Sequence, residues 1–324
     1  MEKRQAVRAL RLVAACATVA VMSSLSPAAG QEAAGLTDDE LRTMEQAAAD
    51  ADGGGAARAV AAMEALARLH PDNYAVGYEL GYTLIANGEY RRAAAAFRKL
   101  QGHKDCDDRS YQMEGNALDY MGQRGDAMRA YRRGLARFPR SGRLMMEMGN
   151  MSLSDGDYDT ALRLYEQGVE AEPGFASNYY RAAWVLLQSS AAESGLALGE
   201  AFLLMEPTGE RAETMSRMVC DTYRAMSPRG DATTIRRVAE TKRALLSLRR
   251  GESDSSAAGA RVRAVEEAIA EAGHWTAYCA WLVRKCDADG LSAWMTFNEA
   301  AMESFAEWFG ANVKNGELRT GGKR

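Results

Sequence analysis

The acidic clusters of the chain come closest to a site for metal chemistry. The run DGDYD at residues 155–159, followed by Glu166, has nearly the spacing of a calcium-binding loop. Thr160, however, occupies the position at which such a loop needs glycine for its sharp turn. A second acidic run, DADG at residues 287–290, is followed by no glutamate at the distance that would complete a calcium site. Neither cluster therefore predicts a metal site.

Histidine, the residue most often used as a catalytic acid or base, is scarce in this chain. His70, His103 and His274 are the only histidines, and none stands at metal-ligand spacing from another ligand. The sequence contains no phosphate-binding loop, no serine nucleophile elbow and no dinucleotide fingerprint. We therefore predict a protein that is not an enzyme and that uses no metal and no cofactor. Residues distant in sequence can still meet in a fold, so catalysis stays the third of the functional interpretations.

Four cysteines follow the first thirty residues, and their pairing is open. Four cysteines can form two disulfides in three ways, and the sequence does not choose among them. Cys279 and Cys286 are seven residues apart, about 10 Å within one helix, which is too far for a disulfide unless the helix ends between them. We expect Cys279 to be a buried apolar thiol. The other two cysteines are Cys106 and Cys220.

A repeat of 34 residues determines which elements would hold any site. One glycine of each repeat follows a predicted first helix, where a left-handed residue ends the helix without steric cost. A second glycine column lies where the two helices of a hairpin cross, and we expect it to let the facing alanines approach closely. Prolines end the second helices because they cannot continue them. The columns are Gly54, Gly88, Gly122 and Gly156; Gly81, Gly115 and Gly149; Ala59, Ala93, Ala127 and Ala161; and Pro71, Pro139, Pro173 and Pro207.

These columns resemble the tetratricopeptide repeat family, whose two-helix unit has this length. The resemblance implies an all-α fold: a right-handed α-solenoid of about five to six helical hairpins with a C-terminal helical cap. The 47% hydrophobic content and the scarcity of proline suit a large helical core. The unit 142–175 matches best, through Gly149, Gly156, Tyr158, Ala161, Tyr165, Gly168 and Pro173.

Composition and the repeat together divide the chain into segments. Beyond residue 209 the 34-residue register fails, although two further helices around SPRGD still suggest a stretched hairpin. We predict a signal peptide at 1–30, a linker at 31–39 and a solenoid at 40–209. The units of the solenoid are 40–73, 74–107, 108–141, 142–175 and 176–209. After it we predict a divergent sixth hairpin at 210–250, a linker at 251–259, an aromatic-rich helical cap at 260–312 and a polar tail at 313–324.

The first thirty residues predict export. Four basic residues precede an apolar stretch at 12–22, which is too short to span a bilayer and is followed by small residues that suit cleavage near Gly30. The alternative is a lipoprotein with Cys16 at its amino terminus, for which Arg11 lies very close upstream. We expect a periplasmic or envelope-associated protein beginning near Gln31, with no transmembrane segment in the mature chain. Removal of residues 1–30 leaves 36 basic and 43 acidic residues, a net charge of −7, which argues against nucleic acid as a partner.

The family resemblance also implies where a ligand would bind. In tetratricopeptide repeats, the first helix of each unit lines a concave groove through a few fixed positions, and this chain places aromatic, amide and arginine side chains there. Such a mixture suits an extended peptide or a helix. We therefore predict a non-catalytic scaffold or adaptor that binds a peptide or protein. The predicted peptide-binding residues are Tyr78, Tyr82, Gln112, Asn116, Arg143, Asn150, Tyr180, Arg181 and Trp184.

An alternative function is an accessory module that handles envelope polysaccharide or lipid. It would use the basic flank of the sixth hairpin or the tryptophan-rich C-terminal end, although we expect the C-terminal aromatic stripes to form core. An exposed aromatic docking patch is the other interpretation of those stripes. The basic flank holds Arg229, Arg236, Arg237, Lys242, Arg243, Arg249 and Arg250, and the two stripes are Trp275, Tyr278, Trp281 and Leu282, and Trp294, Phe297, Ala301, Phe305 and Trp308.

Overall fold

A computed structural model describes residues 35–52, 54–226, 234–248, 257–284, 288–314 and 316–319. The predicted signal peptide, Cys16, Cys286 and most of the linker 251–259 lie outside the described residues. The chain forms two compact units that meet in sequence between Leu164 and Tyr165. We call the described residues up to 164 the N-terminal unit and those from 165 onward the C-terminal unit.

Consecutive helices build the N-terminal unit. From α1 to α7 each helix packs against the next one, and the first helices of successive hairpins also pack against one another. This arrangement is the stacking of helical hairpins that the 34-residue repeat predicts. The helices are α1 (Asp38–Asp52), α2 (Ala56–Leu69), α3 (Tyr74–Ala86), α4 (Tyr90–Leu100), α5 (Asp108–Tyr120), α6 (Arg124–Arg137), α7 (Gly142–Ser154) and α8 (Tyr158–Ala171), whose last residues belong to the C-terminal unit.

The repeated glycines act in two ways, one predicted and one different from the prediction. Gly88, Gly122 and Gly156 have φ angles of 75°, 74° and 79°, so they end the first helices in the left-handed conformation as predicted. At the helix crossing, a Cβ on Gly115 would lie 2.1 Å from the ring of Tyr131. The expectation that this glycine column makes room for the facing alanines is therefore wrong, because the space is filled by an aromatic ring of the second helix.

The C-terminal unit continues with hairpins and then departs from them. Helices α9 to α12 pack in sequence, and α13, α14 and α15 cover them. The predicted polar tail at 313–324 is wrong in part, because Val313 is buried and pairs with Leu318 in a short antiparallel hairpin. The elements are α9 (Ala176–Leu187), α10 (Ala192–Met205), α11 (Glu210–Met226), α12 (Thr234–Leu248), α13 (Ala257–Glu271), α14 (Trp275–Leu282), α15 (Ala288–Asn312), β1 (Val313–Lys314) and β2 (Glu317–Leu318).

The predicted all-α fold class is confirmed over the described residues, which form fifteen helices and one two-stranded hairpin. The largest buried side chains are aromatic, among them Tyr131 in the N-terminal unit and Tyr179, Tyr278 and Trp281 in the C-terminal unit. Within the described ranges, no helix has the length and apolar composition needed to cross a membrane. Cys106 and Cys279 are buried free thiols, as expected for Cys279, whereas Cys220 is disulfide-bonded.

Candidate functional site

Capping side chains fix where the first helices of the N-terminal unit begin. The side chain of Asn73 accepts a hydrogen bond from the backbone N–H of Val76 before α3, and Asp107 accepts one from Arg109 before α5. Ser141 accepts one from Leu144 before α7. Such caps satisfy amide groups that no helical partner reaches, and they set the rotational phase of each helix. The surface of α3, α5 and α7 that carries the predicted binding residues is called the three-helix face below.

One end of the three-helix face joins an aromatic ring to two arginines. The Arg109 guanidinium lies 5.2 Å from the centre of the Tyr78 ring, whose edge also packs on Phe97. Burial raises the pKa of Tyr78 to about 12, and the guanidinium groups of Arg109 and Arg143 oppose this rise. The Arg143 Nε lies 4.0 Å from a carboxylate oxygen of Asp108. The predicted residues Tyr78 and Arg143 are therefore brought together, and Arg109 joins them.

The centre of the three-helix face is organised by Glu147, which the predicted set of binding residues omits. The amide of Gln112 donates a hydrogen bond of 2.6 Å to one oxygen of Glu147, and the amide of Asn150 donates one of 3.1 Å to the other. Gln112 is buried, so its amide orients Glu147 and offers little surface to a ligand. Glu147 lies at a first-helix position within the family's groove pattern, which is the signal that could have identified it.

Asn116 is also committed within the protein. Its carbonyl oxygen accepts a hydrogen bond of 2.7 Å from the hydroxyl of Tyr131. Burial raises the pKa of Tyr131 above its ordinary value, and the carboxylates of Glu147 and Asp119 add to the rise. The hydroxyl therefore stays protonated as a donor, and Asn116 keeps its amide N–H groups for other contacts.

Tyr82 lies apart from the polar centre. It is half-buried and packs on the apolar cluster of α1, α2 and α3, which contains Ala47, Met63 and Val76. At the far edge of the face, Arg124 lies 2.8 Å from Asp155, donates to the carbonyl of Met151 and approaches Asp119 at 3.5 Å. This edge is therefore closed by internal ion pairs.

The acidic run at 155–159 has a structural role. The Asp157 carboxylate accepts a hydrogen bond of 3.0 Å from the N–H of Thr160 at the start of α8, and bonds to Thr160 lower the pKa of Asp157. Asp155 pairs with Arg124. Over the stretches that the structure describes, no group of three or more His, Cys, Asp or Glu side chains is arranged to hold a metal ion.

The other three predicted binding residues belong to the C-terminal unit and lie on α9. The Tyr180 ring is flanked by Phe202, with ring centres 5.1 Å apart, and by the Arg211 guanidinium at 4.8 Å. Arg211 also donates to the hydroxyl of Ser177. Arg181 and Trp184 are partly exposed. Sequence reasoning missed Arg211, which occupies the second position of the hairpin after the last regular unit.

The prediction that the basic flank of the sixth hairpin forms an exposed surface is wrong in part. Lys242 is 2% exposed, and its ammonium group lies 2.6 and 2.7 Å from the two carboxylate oxygens of Glu200 on α10. It also binds Glu266 on α13 and the hydroxyl of Tyr223, at 3.2 Å, on α11. Lys242 is therefore a core residue. Arg236, Arg237 and Arg243 lie on α12, whereas Arg229, Arg249 and Arg250 lie outside the described residues or side chains.

The C-terminal aromatic stripes divide between core and surface. Trp275, Tyr278, Trp281 and Leu282 on α14 are buried, as expected. On α15 the expected stripe is wrong in part, because Phe297 is 89% exposed and Ala301 is exposed, whereas Phe305 is buried as expected. The buried face runs one row further round the helix, at spacings of three, four and seven residues. Its members are Leu291, Met295, Met302, Phe305 and Phe309.

Comparisons with known proteins identify the repeat. The family profile described as tetratricopeptide repeat matches residues 44–108 and 113–174. These parts of the chain are therefore tetratricopeptide repeats, and the resemblance drawn from the glycine, alanine and proline columns is confirmed at this level. No curated protein matches the chain at a significant level.

Several solved structures have similar folds at low identity. A fragment of MamA from Desulfovibrio magneticus RS-1 is 15% identical with a TM-score of 0.38, covering 54% of this chain and 98% of that one. A tetratricopeptide repeat protein from Parabacteroides merdae is 14% identical with a TM-score of 0.40, covering 84% and 99%. YrrB, described as a TPR protein with an unusual peptide-binding site, is 19% identical with a TM-score of 0.34, covering 54% and 91%. At these scores the similarities carry no argument about function.

Proposed function

We propose that this protein is a non-catalytic scaffold of the cell envelope that binds, on the three-helix face, a peptide segment carrying a basic side chain. Tetratricopeptide repeats commonly bind proteins through their first helices, which is what the family resemblance implies for α3, α5 and α7. Export, followed by cleavage near Gln31, is part of the proposal and rests on the sequence of the first thirty residues.

The proposal rests on the hydrogen bonds and the charge of Glu147. Among the described residues, its hydrogen-bond partners are the neutral amides of Gln112 and Asn150, so its negative charge is held in place without being neutralised. A carboxylate that is oriented in advance by two donors loses little freedom when a cation arrives. It therefore favours a lysine or arginine side chain of the ligand.

The surroundings of Glu147 extend the recognition beyond one charge. Arg143 lies one helical turn before Glu147 on α7, a rise of about 6 Å. Arg109, which is paired with Asp107, and the Tyr78 ring lie near Arg143 and give this end of the face a cationic and aromatic character that suits an acidic or carbonyl group of the same peptide. The face therefore suits a segment whose basic side chain and acceptor group are neighbours.

A peptide-display selection on the chain beginning at Gln31 tests this proposal. We expect selected peptides to be enriched in lysine or arginine. Glu147→Gln should weaken their binding by about tenfold or more, because a charge-assisted hydrogen bond is lost. Glu166→Gln, at an exposed glutamate of α8, is the matched control and should bind as the unaltered chain does.

The selection can also contradict the proposal. Enrichment of acidic peptides, or equal affinity of the Glu147→Gln variant and the unaltered chain, would remove Glu147 from the site. The melting temperature of each variant is measured alongside, since glutamine keeps the shape of glutamate and should leave the fold intact.

A further inference from the structure

The outer side of α15 is an apolar surface that the core does not use. Phe297 is 89% exposed, and Ala293, four residues before it, and Ala300, Ala301 and Ser304, three, four and seven residues after it, are exposed as well. We call these five residues the α15 outer face. Trp294 and Trp308 flank it and are partly exposed. The helix thus has two neighbouring apolar stripes, of which only one is buried.

The local geometry of α15 presents this face to solvent. Asn298 has non-helical angles, with φ −131° and ψ 21°, so the helix is kinked directly after Phe297. The side-chain amide of Asn298 donates a hydrogen bond of 2.8 Å to the carbonyl oxygen of Trp294, so this carbonyl has a partner at the kink. On the opposite side, Met302, Phe305 and Phe309 anchor the second half of the helix in the core. Phe297 is therefore held outward on an anchored helix.

The shape of the α15 outer face suits another helix. Ala293 and Phe297 lie four residues apart before the kink, and Ala300 and Ser304 lie four residues apart after it, with Ala301 beside them. Rows at this spacing make the ridges and grooves by which helices pack, and small side chains allow the axes to come close. Phe297 then acts as the one large side chain that enters the partner, as central aromatic anchors do in helix recognition.

The charge of α15 selects among possible occupants. The helix carries Asp289, Glu299, Glu303 and Glu307 and contains no lysine or arginine. Asp289, Glu303 and Glu307 border the α15 outer face along one side. Interfacial membrane helices carry basic residues around their apolar side, so this helix has the opposite charge pattern. Two copies meeting through this face would each bring the same carboxylates, which adds like-charge repulsion.

We propose that the α15 outer face is a second docking surface that binds a basic amphipathic helix of another protein, with Phe297 as its anchor. The apolar side of the partner helix covers Phe297 and the alanines. Its lysine or arginine side chains lie beside Glu303 and Glu307, where opposite charges favour the complex and fix its orientation. This surface is separate in sequence and composition from the three-helix face, and its existence does not depend on peptide binding there.

Two synthetic helical peptides test the proposal. Both share one apolar side of leucine and alanine, and their polar sides carry lysine in one and glutamate in the other. We expect the full chain beginning at Gln31 to bind the lysine peptide, measured by fluorescence anisotropy. Phe297→Ala should weaken this binding about tenfold or more, as expected for loss of a buried phenylalanine contact. Because Phe297 is exposed, the variant should fold normally.

Charge reversal and two controls make the test specific. Glu303→Lys combined with Glu307→Lys should transfer binding from the lysine peptide to the glutamate peptide. Tyr158→Ala, at a tyrosine that is also exposed, should leave binding unchanged. Loss of lysine-peptide binding in Glu147→Gln but not in Phe297→Ala would place the peptide on the three-helix face and overturn the present proposal alone.

Other occupants give distinct results. Binding of phosphatidylglycerol vesicles that Phe297→Ala abolishes would identify a lipid surface instead. A concentration-dependent dimer in sedimentation that the same variant abolishes would identify a second copy of the chain. Absence of any binding of the lysine peptide to the unaltered chain would also overturn the proposal.

Discussion

Replacing Glu266 by glutamine should cost little stability at pH 7, whereas replacing Lys242 by methionine should cost a great deal. Both residues belong to one buried cluster in the C-terminal unit, in which the Lys242 ammonium contacts Glu200, Glu266 and Tyr223. Tyr278 on α14 faces the same group, with the ammonium 5.5 Å from its ring centre. The cluster therefore has two carboxylates and one cation in a site that excludes water.

The proton occupancy of the cluster decides the difference between the two variants. Burial raises the pKa of Glu266 to about 8, and the neighbouring Glu200 adds to the rise. The attraction of Lys242 and hydrogen bonds to Glu200 keep the pKa of Glu200 below its ordinary value, in spite of burial. At pH 7 the cluster thus holds a largely protonated Glu266, which glutamine imitates, and an ion pair between Glu200 and Lys242. Removing Lys242 leaves a buried carboxylate without its cation, at a cost of about 3 to 5 kcal/mol.

The same occupancy predicts how stability depends on pH. The pKa of Glu266 is higher in the folded state, about 8, than its ordinary value of 4.5, so the folded state binds more protons between these values. Its contribution to stability is complete below pH 4.5 and is lost as pH rises towards 8. Relative to Glu266→Gln, the unaltered protein should lose at most about 1.4 kcal/mol per pH unit over this window. Glu200 acts in the opposite direction, and only below pH 4.5, because its pKa is lowered.

Urea denaturation at pH 5, 6, 7 and 8 measures the free energy of unfolding of the unaltered protein and the variants, and so tests this prediction. Tryptophan fluorescence reports the C-terminal unit, because all five tryptophans lie there. Glu240→Gln, which removes an exposed helical ion pair with Arg236, is the control and should leave stability almost unchanged, because solvent screens exposed pairs. The reasoning is refuted if Glu266→Gln is as damaging as Lys242→Met at pH 7, or if the unaltered protein gains stability over Glu266→Gln as pH rises from 5 to 8.

Three further predictions concern packing and processing. Gly115→Ala should destabilise by about 1 to 3 kcal/mol, because its Cβ would stand 2.1 Å from the ring of Tyr131, which is buried and held by a hydrogen bond; an unchanged melting temperature would contradict this. Trp281→Ala should cost about 3 to 5 kcal/mol in chemical denaturation, since its side chain is 1% exposed, and a near-neutral effect would show that the site is not core. Mass spectrometry of the exported protein should find an amino terminus near Gln31, and a diacylated Cys16 would establish the lipoprotein alternative instead.

The sequence predicts the hairpins because their determinants are local. The first helices α3, α5 and α7 are each followed by a glycine of the 34-residue column, and Gly88, Gly122 and Gly156 adopt the left-handed angles that this role requires. The caps Asn73 and Ser141 also act within three residues of themselves. Periodicity and capping can therefore be identified without knowledge of distant contacts.

The errors arise where distant partners decide. Lys242 belongs to a flank rich in arginine and therefore suggests a solvated face, but in the core its ammonium contacts Glu200 and Glu266, which are 42 and 24 residues away. On α15, two neighbouring sides of the helix are apolar, and its large aromatic residues led to a prediction that placed Phe297 on the buried side. Met295 and Met302, whose flexible side chains adapt to core packing, are buried, and Phe297 is exposed. Local pattern does not distinguish between two apolar sides of one helix.

The sequence predicts where the site residues lie along the helices, but not which hydrogen bonds their side chains make. The resemblance places Gln112, Asn116 and Asn150 on first helices, but their amide groups are partly engaged with Glu147 and Tyr131. Which amide orients and which remains available depends on side-chain geometry between helices 34 residues apart in sequence. The fold can therefore be predicted from the sequence more fully than the hydrogen bonding of the three-helix face can.

Photo-crosslinking from the three-helix face in living cells tests whether this face binds a protein partner. A photoreactive phenylalanine analogue is placed at Tyr82 or at Met146 on the face, and at Tyr158 on α8 as the control. We expect the analogue at Tyr82 and at Met146 to capture the same protein partner, the analogue at Tyr158 not to capture it, and Glu147→Gln to reduce the captured amount. Capture from Tyr158 alone, or capture from the face that Glu147→Gln leaves unchanged, would show that the three-helix face is not the binding site.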